Sequence, residues 1–97
     1  MITGIVIAYE GNCRLVDALD SSTRGWDPPV FGLPAVALAA GRLMKLTPEQ
    51  LAHAVGIALN DHIPMAQTRV GALSDWKGLA AAEAGRNAVF AARLARA

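Results

Sequence analysis

The 97-residue sequence has one cysteine and two histidines, and these shortages exclude whole classes of protein. Cys13 alone cannot form an internal disulfide, and two histidines nine residues apart do not have the spacing of a zinc site. The stretch from Gly71 to Lys77 lacks the second glycine and the Lys-Ser/Thr pair of a phosphate-binding loop. We therefore expect no disulfide, no metal and no cofactor, and a reducing, cytoplasmic compartment.

The sequence also has no cluster of positive charge and no long hydrophobic run. Nine Lys and Arg residues against eight Asp and Glu residues give a formal net charge of +1, without a basic patch. The apolar start of the chain has no basic flank and is far shorter than the roughly 20 residues that cross a bilayer. We expect neither a nucleic-acid partner nor a membrane association.

Small apolar residues dominate what is present. Hydrophobic residues make up 54% of the chain, twenty residues are Ala, and only five are aromatic. Alanine favours helix and fills little volume, so this composition is typical of helices that pack closely. The sequence predicts an all-α fold of four helices, forming a single helical domain over residues 1–97.

Spacing of apolar residues predicts the first two helices and the loop between them. Residues 2–19 form the first, because six apolar residues recur three and four apart and are expected to face the core: Ile5, Ala8, Tyr9, Cys13, Val16 and Leu19. Turn-forming residues from Asp20 to Pro29 predict a loop. A second helix is expected from Leu33 to Leu46, with Arg42 and Lys45 in its last turn.

The clearest local signal is a capping box that starts the third helix. Thr47 is the expected N-cap, Pro48 the first helical residue and Gln50 the partner that completes the box. Residues 63–73 are expected to be a loop with a short helical turn near residues 64–68. A fourth helix is predicted from Ser74, as a possible N-cap, to Arg96. One of its faces is lined by small residues around a single lysine: Lys77, Ala80, Ala81, Ala84, Gly85, Ala88, Ala91, Ala92 and Ala95.

Several short motifs occur together in this order along the chain: Tyr9-Glu10-x-x-Cys13-Arg14-Leu15, Arg24-Gly25-Trp26-Asp27, Ala39-Ala40-Gly41-Arg42-Leu43, Leu51-x-His53-Ala54-x-Gly56-Ile57-Ala58 and Trp76-Lys77-Gly78 with Ala84-x-Arg86-Asn87. The pattern resembles the MmgE/PrpD family. That family includes 2-methylcitrate dehydratases and cis-aconitate decarboxylases, metal-independent lyases that act on small tricarboxylates. Its members combine a large helical domain with a smaller α+β domain, and this chain resembles an internal piece of the helical domain.

Four residues are candidate site residues, and three of them are implied by the resemblance. Lys77 is the candidate catalytic residue, because a lysine at this place lines the family's active site and could bind a carboxylate and stabilise an enolate. Trp26 and Asp27 match an active-site loop of the family. Arg69, shortly before Lys77, is selected by its residue type, since its guanidinium could bind a substrate carboxylate in bidentate geometry, as could that of Arg24. The plainer interpretations are that Lys77 is a solvated residue at a helix start and that Arg69, like Arg24, forms an ordinary ion pair.

Other residues that carry chemistry have simpler interpretations. Family members commonly carry a histidine at the position of Asp27 or Pro28, and this sequence has none there, which argues against the family reaction. His53 lies among apolar residues of the third helix and is expected to be a partly buried or surface residue. His62, beside Asp61, is expected to cap that helix and not to form an acid/base pair.

Two functions remain open at this point. The first is a helical module that is non-catalytic by itself, associates with a second copy and retains a site for a small tri- or dicarboxylate. The alternative is a 2-methylcitrate dehydratase-like lyase. A short, alanine-rich chain buries little surface, so we expect a homodimer or higher homo-oligomer whose interface includes the first or the fourth helix.

Overall fold

The computed structural model describes residues 1–97, except for the side chain of Asp61. Four helices follow one another along the chain: α1 (Ile2–Ala18), α2 (Gly32–Leu43), α3 (Pro48–Asp61) and α4 (Trp76–Arg96). Short 3₁₀ turns occupy Ser22–Arg24, Pro28–Phe31 and Ala66–Arg69. Within the described residues there is no named strand, only an isolated bridge between Trp26 and Met65. The predicted all-α fold of four helices is confirmed.

Helix α2 lies at the centre of the molecule. It packs against α1, α3 and α4, and α3 and α4 also pack against each other, whereas α1 packs mainly against α2. The core combines Leu33 and Ala37 of α2 with alanines of the two helices beyond it, Ala54 and Ala58 of α3 and Ala88 of α4. Alanine at these positions lets the helix backbones approach closely, as the composition predicts.

The capping box at Thr47 is confirmed in full. The Thr47 hydroxyl accepts a hydrogen bond from the Gln50 backbone N–H at 3.2 Å, and the Gln50 side chain accepts one from the Thr47 N–H at 3.0 Å. Pro48 is the first residue of the helix, where its missing N–H costs nothing. His62 is the C-cap residue of α3, as expected, while the side chain of Asp61 lies outside the described residues.

Two predicted helix boundaries are wrong by a few residues. The second helix ends at Leu43 and not at Leu46, because Lys45 turns into the left-handed region with φ of 59° and brings Leu46 into the core. The N-cap of α4 is Asp75 and not Ser74, and the Asp75 side chain makes no capping hydrogen bond. Backbone carbonyls of Ser74 and Asp75 instead accept bonds from the first helical N–H groups.

The predicted core face of α1 is wrong. Tyr9 and Val16 are 70% and 49% exposed, and Cys13, expected in the core, is also exposed. Another face, which includes Gly4 and Gly11, packs on α2, and the small size of these glycines allows Leu43 and Ala35 to approach closely. A Cβ at Gly4 would lie 2.6 Å from Leu43 Cδ1. The pattern identified the helix correctly but assigned its burial to the wrong side.

The alanine face of α4 is confirmed in its main part. Five of its residues are buried against α2 and α3: Ala80, Ala84, Ala88, Ala91 and Ala92. Ala81, predicted for the same face, is exposed. The large apolar side chains of α4 lie on the outer side, where Leu79 and Phe90 are 54% and 55% exposed. Helix α4 therefore uses its small residues for packing inside this chain and leaves its large ones uncovered.

Candidate functional site

The loop after α1 is held against the segment before α4 by backbone hydrogen bonds. The N–H of Asp27 donates to the carbonyl of Pro64 at 2.8 Å, and the N–H of Ala66 donates to the carbonyl of Gly25 at 2.9 Å. These bonds form the bridge between Trp26 and Met65. They bring the two segments that carry three of the four predicted site residues into one place.

Asp27 and Arg69 meet at this bridge as a bidentate ion pair. Arg69 Nε donates to Asp27 Oδ1, and Arg69 Nη2 donates to Asp27 Oδ2 at 2.9 Å. Asp27 is completely buried, whereas the Arg69 side chain keeps about a third of its surface in water (34%). The hydrogen bonding that Arg69 donates to the Asp27 carboxylate raises the pKa of Arg69 above its ordinary value.

This pair has a direct chemical consequence. Both oxygens of the Asp27 carboxylate are occupied by the guanidinium, and the planar fork of Arg69 is directed at that carboxylate. In this arrangement Arg69 already holds a carboxylate that belongs to its own chain. The structure therefore agrees with the plainer interpretation, in which Arg69 forms an ion pair within the chain.

Trp26 lies next to the pair and is half-buried against the core. The guanidinium carbon of Arg24 lies 5.4 Å from the centre of the Trp26 ring, in the range of a cation–π interaction. Trp26 therefore packs against the core and also makes a cation–π contact with the guanidinium of Arg24. Arg24, the weaker of the two arginine candidates, is engaged by this ring.

Lys77 is the second residue of α4, in the first turn, as predicted. Its backbone N–H donates to the carbonyl of Ser74 at 3.2 Å. The residue is exposed, and within the described part of the chain its side chain has no hydrogen bond or ion pair, including any to Asp27 or Arg69. Of the predicted site residues, Lys77 is the one that presents its charge to water.

Sequence reasoning did not select a second polar cluster on α4. Arg86 donates to both carboxylate oxygens of Glu83, at 2.5 and 3.0 Å, and this contact holds the pKa of Glu83 below its usual 4.5. The cluster lies beside a groove of about 690 Å³ between α3 and α4, whose lining includes His62, Asn87 and Phe90. The three-residue spacing from Glu83 to Arg86 was the available signal, and it is also typical of solvated helix surfaces.

Among the described residues, no group of three or more His, Cys, Asp or Glu side chains is placed to hold a metal ion. In the same part of the chain, no helix has the length and apolar character needed to cross a bilayer.

The fold and these side chains define an alanine-rich helical module in which Asp27 pairs with Arg69 and Lys77 lies exposed at a helix start. The MmgE/PrpD N-terminal domain model matches residues 1–97. The chain therefore belongs to the MmgE/PrpD family, which confirms the resemblance stated from the motifs.

Two curated relatives of this chain come from Aspergillus species. The cis-aconitate decarboxylase-like protein oryM of Aspergillus oryzae (strain ATCC 42149 / RIB 40) is 35% identical over 105 aligned residues, which cover 98% of this chain and 20% of that protein. The cis-aconitate decarboxylase of Aspergillus terreus is 31% identical over 77 residues, covering 75% of this chain and 16% of that protein. The chain thus spans about a fifth or less of the length of these relatives. No solved structure matches it significantly.

Proposed function

We propose that this chain is a helical module of the MmgE/PrpD type that binds a small tri- or dicarboxylate through Lys77 and does not convert it by itself. The proposal includes association of the module with a second copy. Relatives named as cis-aconitate decarboxylases support the ligand class, because cis-aconitate carries three carboxylates. They do not by themselves support turnover by a chain that spans about a fifth of their length.

The state of Asp27 carries the proposal. Removal of a proton next to a carboxylate, or loss of CO₂ followed by protonation, needs an acid or base within hydrogen-bond reach of the substrate. Asp27 is the only carboxylate among the four predicted site residues, and it is buried with both oxygens bound by Arg69. This arrangement removes Asp27 as a proton acceptor, and it leaves the exposed ammonium of Lys77 as the group that a substrate carboxylate can reach.

Lys77 is the residue that we assign to the carboxylate. Its ammonium is exposed, and it lies in the first turn of α4, where the helix dipole favours an anion. Arg69 is a poorer candidate, because its guanidinium would have to release Asp27 and leave that carboxylate buried without a partner. The order of importance for binding is therefore Lys77 before Arg69.

A thermal-shift titration with citrate tests this assignment. Citrate at millimolar concentration should raise the melting temperature of the 97-residue protein, because it binds the folded form. Lys77→Gln should remove most of the shift. The control is Lys45→Gln, which removes the same charge from the only other lysine and should keep the shift. Equal shifts in both variants, or no shift in the unmodified protein, would contradict carboxylate binding at Lys77.

The alternative is a lyase that acts on small tricarboxylates, and the names of the relatives favour it. It requires Lys77 to act in the reaction and a proton donor or acceptor to reach the substrate. The two functions differ in one observable: the lyase converts cis-aconitate, citrate or 2-methylcitrate, whereas the module binds without conversion.

Self-association is supported by the apolar side chains that this fold leaves uncovered. On α1 these include Val6 and Tyr9, at 60% and 70% exposure, and on α4 they include Leu79 and Phe90. A surface with this many large exposed apolar residues is typical of an interface. Sedimentation of the 97-residue protein at micromolar concentration should show a species of twice its 10.1 kDa mass, and a stable folded monomer would contradict the proposal.

A further inference from the structure

We draw no further inference here: the strongest candidate, the groove of about 690 Å³ between α3 and α4 that Arg86, Phe90 and Arg93 line, carries none, because Arg86 is already paired with Glu83 and nothing in the structure shows what covers the groove.

Discussion

Asp27 and Arg69, 42 residues apart in the sequence, form a bidentate ion pair between a buried carboxylate and a partly exposed guanidinium, and this pair joins the loop after α1 to the 3₁₀ turn before α4. The bridge between Trp26 and Met65 positions both residues. Two residues that were predicted to belong to a substrate-binding site thus bind each other. The pair holds the segment before α4 in place and leaves Lys77 as the cation that faces water.

Replacing either partner of this ion pair should lower the free energy of unfolding. The two substitutions should lower it by different amounts. Asp27→Asn should cost about 2 kcal/mol, because the remaining Arg69 keeps part of its surface in water and can be rehydrated. Arg69→Met should cost more than Asp27→Asn, because it leaves a fully buried carboxylate without its partner. Urea denaturation of both variants measures the order. A smaller cost for Arg69→Met would contradict the burial of Asp27.

The helix caps give a second, more local prediction. Thr47→Ala should lower the stability by about 1 kcal/mol, because it removes the side-chain half of the capping box. Ser74→Ala is the matched control, since Ser74 uses only its backbone carbonyl at the start of α4. Its denaturation midpoint should stay close to that of the unmodified protein. Equal losses at both positions would contradict the assigned caps.

The pH dependence of stability should include a contribution from Glu83. Arg86 keeps the pKa of Glu83 in the folded protein below its usual 4.5. Ionised Glu83 therefore stabilises the folded state above pH 4.5, and this contribution is lost as the pH falls through the lower, folded-state value. Melting temperatures measured from about pH 6 down to about pH 3 should fall less steeply in Glu83→Gln.

Arg86→Gln provides the check on that assignment. Because the two residues act as a pair, this variant should show the same shallower pH profile as Glu83→Gln. The double variant should add nothing further. If the melting temperature of Arg86→Gln falls with pH as steeply as that of the unmodified protein, Arg86 is not the cause of the lowered pKa of Glu83.

Two glycines on neighbouring helices should respond oppositely to alanine. A Cβ at Gly41 would lie 2.5 Å from Leu51 Cδ2 and 3.1 Å from Leu46 Cδ1, so Gly41→Ala should cost about 1–3 kcal/mol of stability. At Gly56, in α3, a Cβ would meet no atom within 4 Å. Gly56→Ala should therefore stabilise the protein by about 0.5–1 kcal/mol through helix propensity. Denaturation midpoints that move in the same direction would contradict this packing.

The sequence was most informative where the physical cause is local. The capping box at Thr47 depends on four consecutive residues, and the alanine face of α4 depends on one helical period, so both could be predicted. On α1 the periodicity indicated a helix but could not choose its core face, because both faces are apolar. That choice depends on the close approach of Leu43 to Gly4, which only the tertiary structure contains.

Local sequence patterns were even less informative about the candidate site than about the core face of α1. Family motifs identified Trp26, Asp27 and Lys77 one by one, and Arg69 was selected by its residue type and its place shortly before Lys77. No local pattern predicts that Asp27 and Arg69 pair with each other, since their meeting depends on a backbone bridge between two irregular segments. Burial of Asp27 follows from that bridge and decides which chemistry the site supports.

Turnover by the 97-residue protein is the most direct test of the central claim that the module binds without converting. The protein is incubated at high concentration with cis-aconitate, citrate and 2-methylcitrate in turn, and ultraviolet absorbance follows the loss or gain of the conjugated double bond. The account predicts no rate above background with any of the three, in the unmodified protein and in Lys77→Gln alike. A rate in the unmodified protein that Lys77→Gln abolishes and Lys45→Gln preserves would contradict it and establish the lyase.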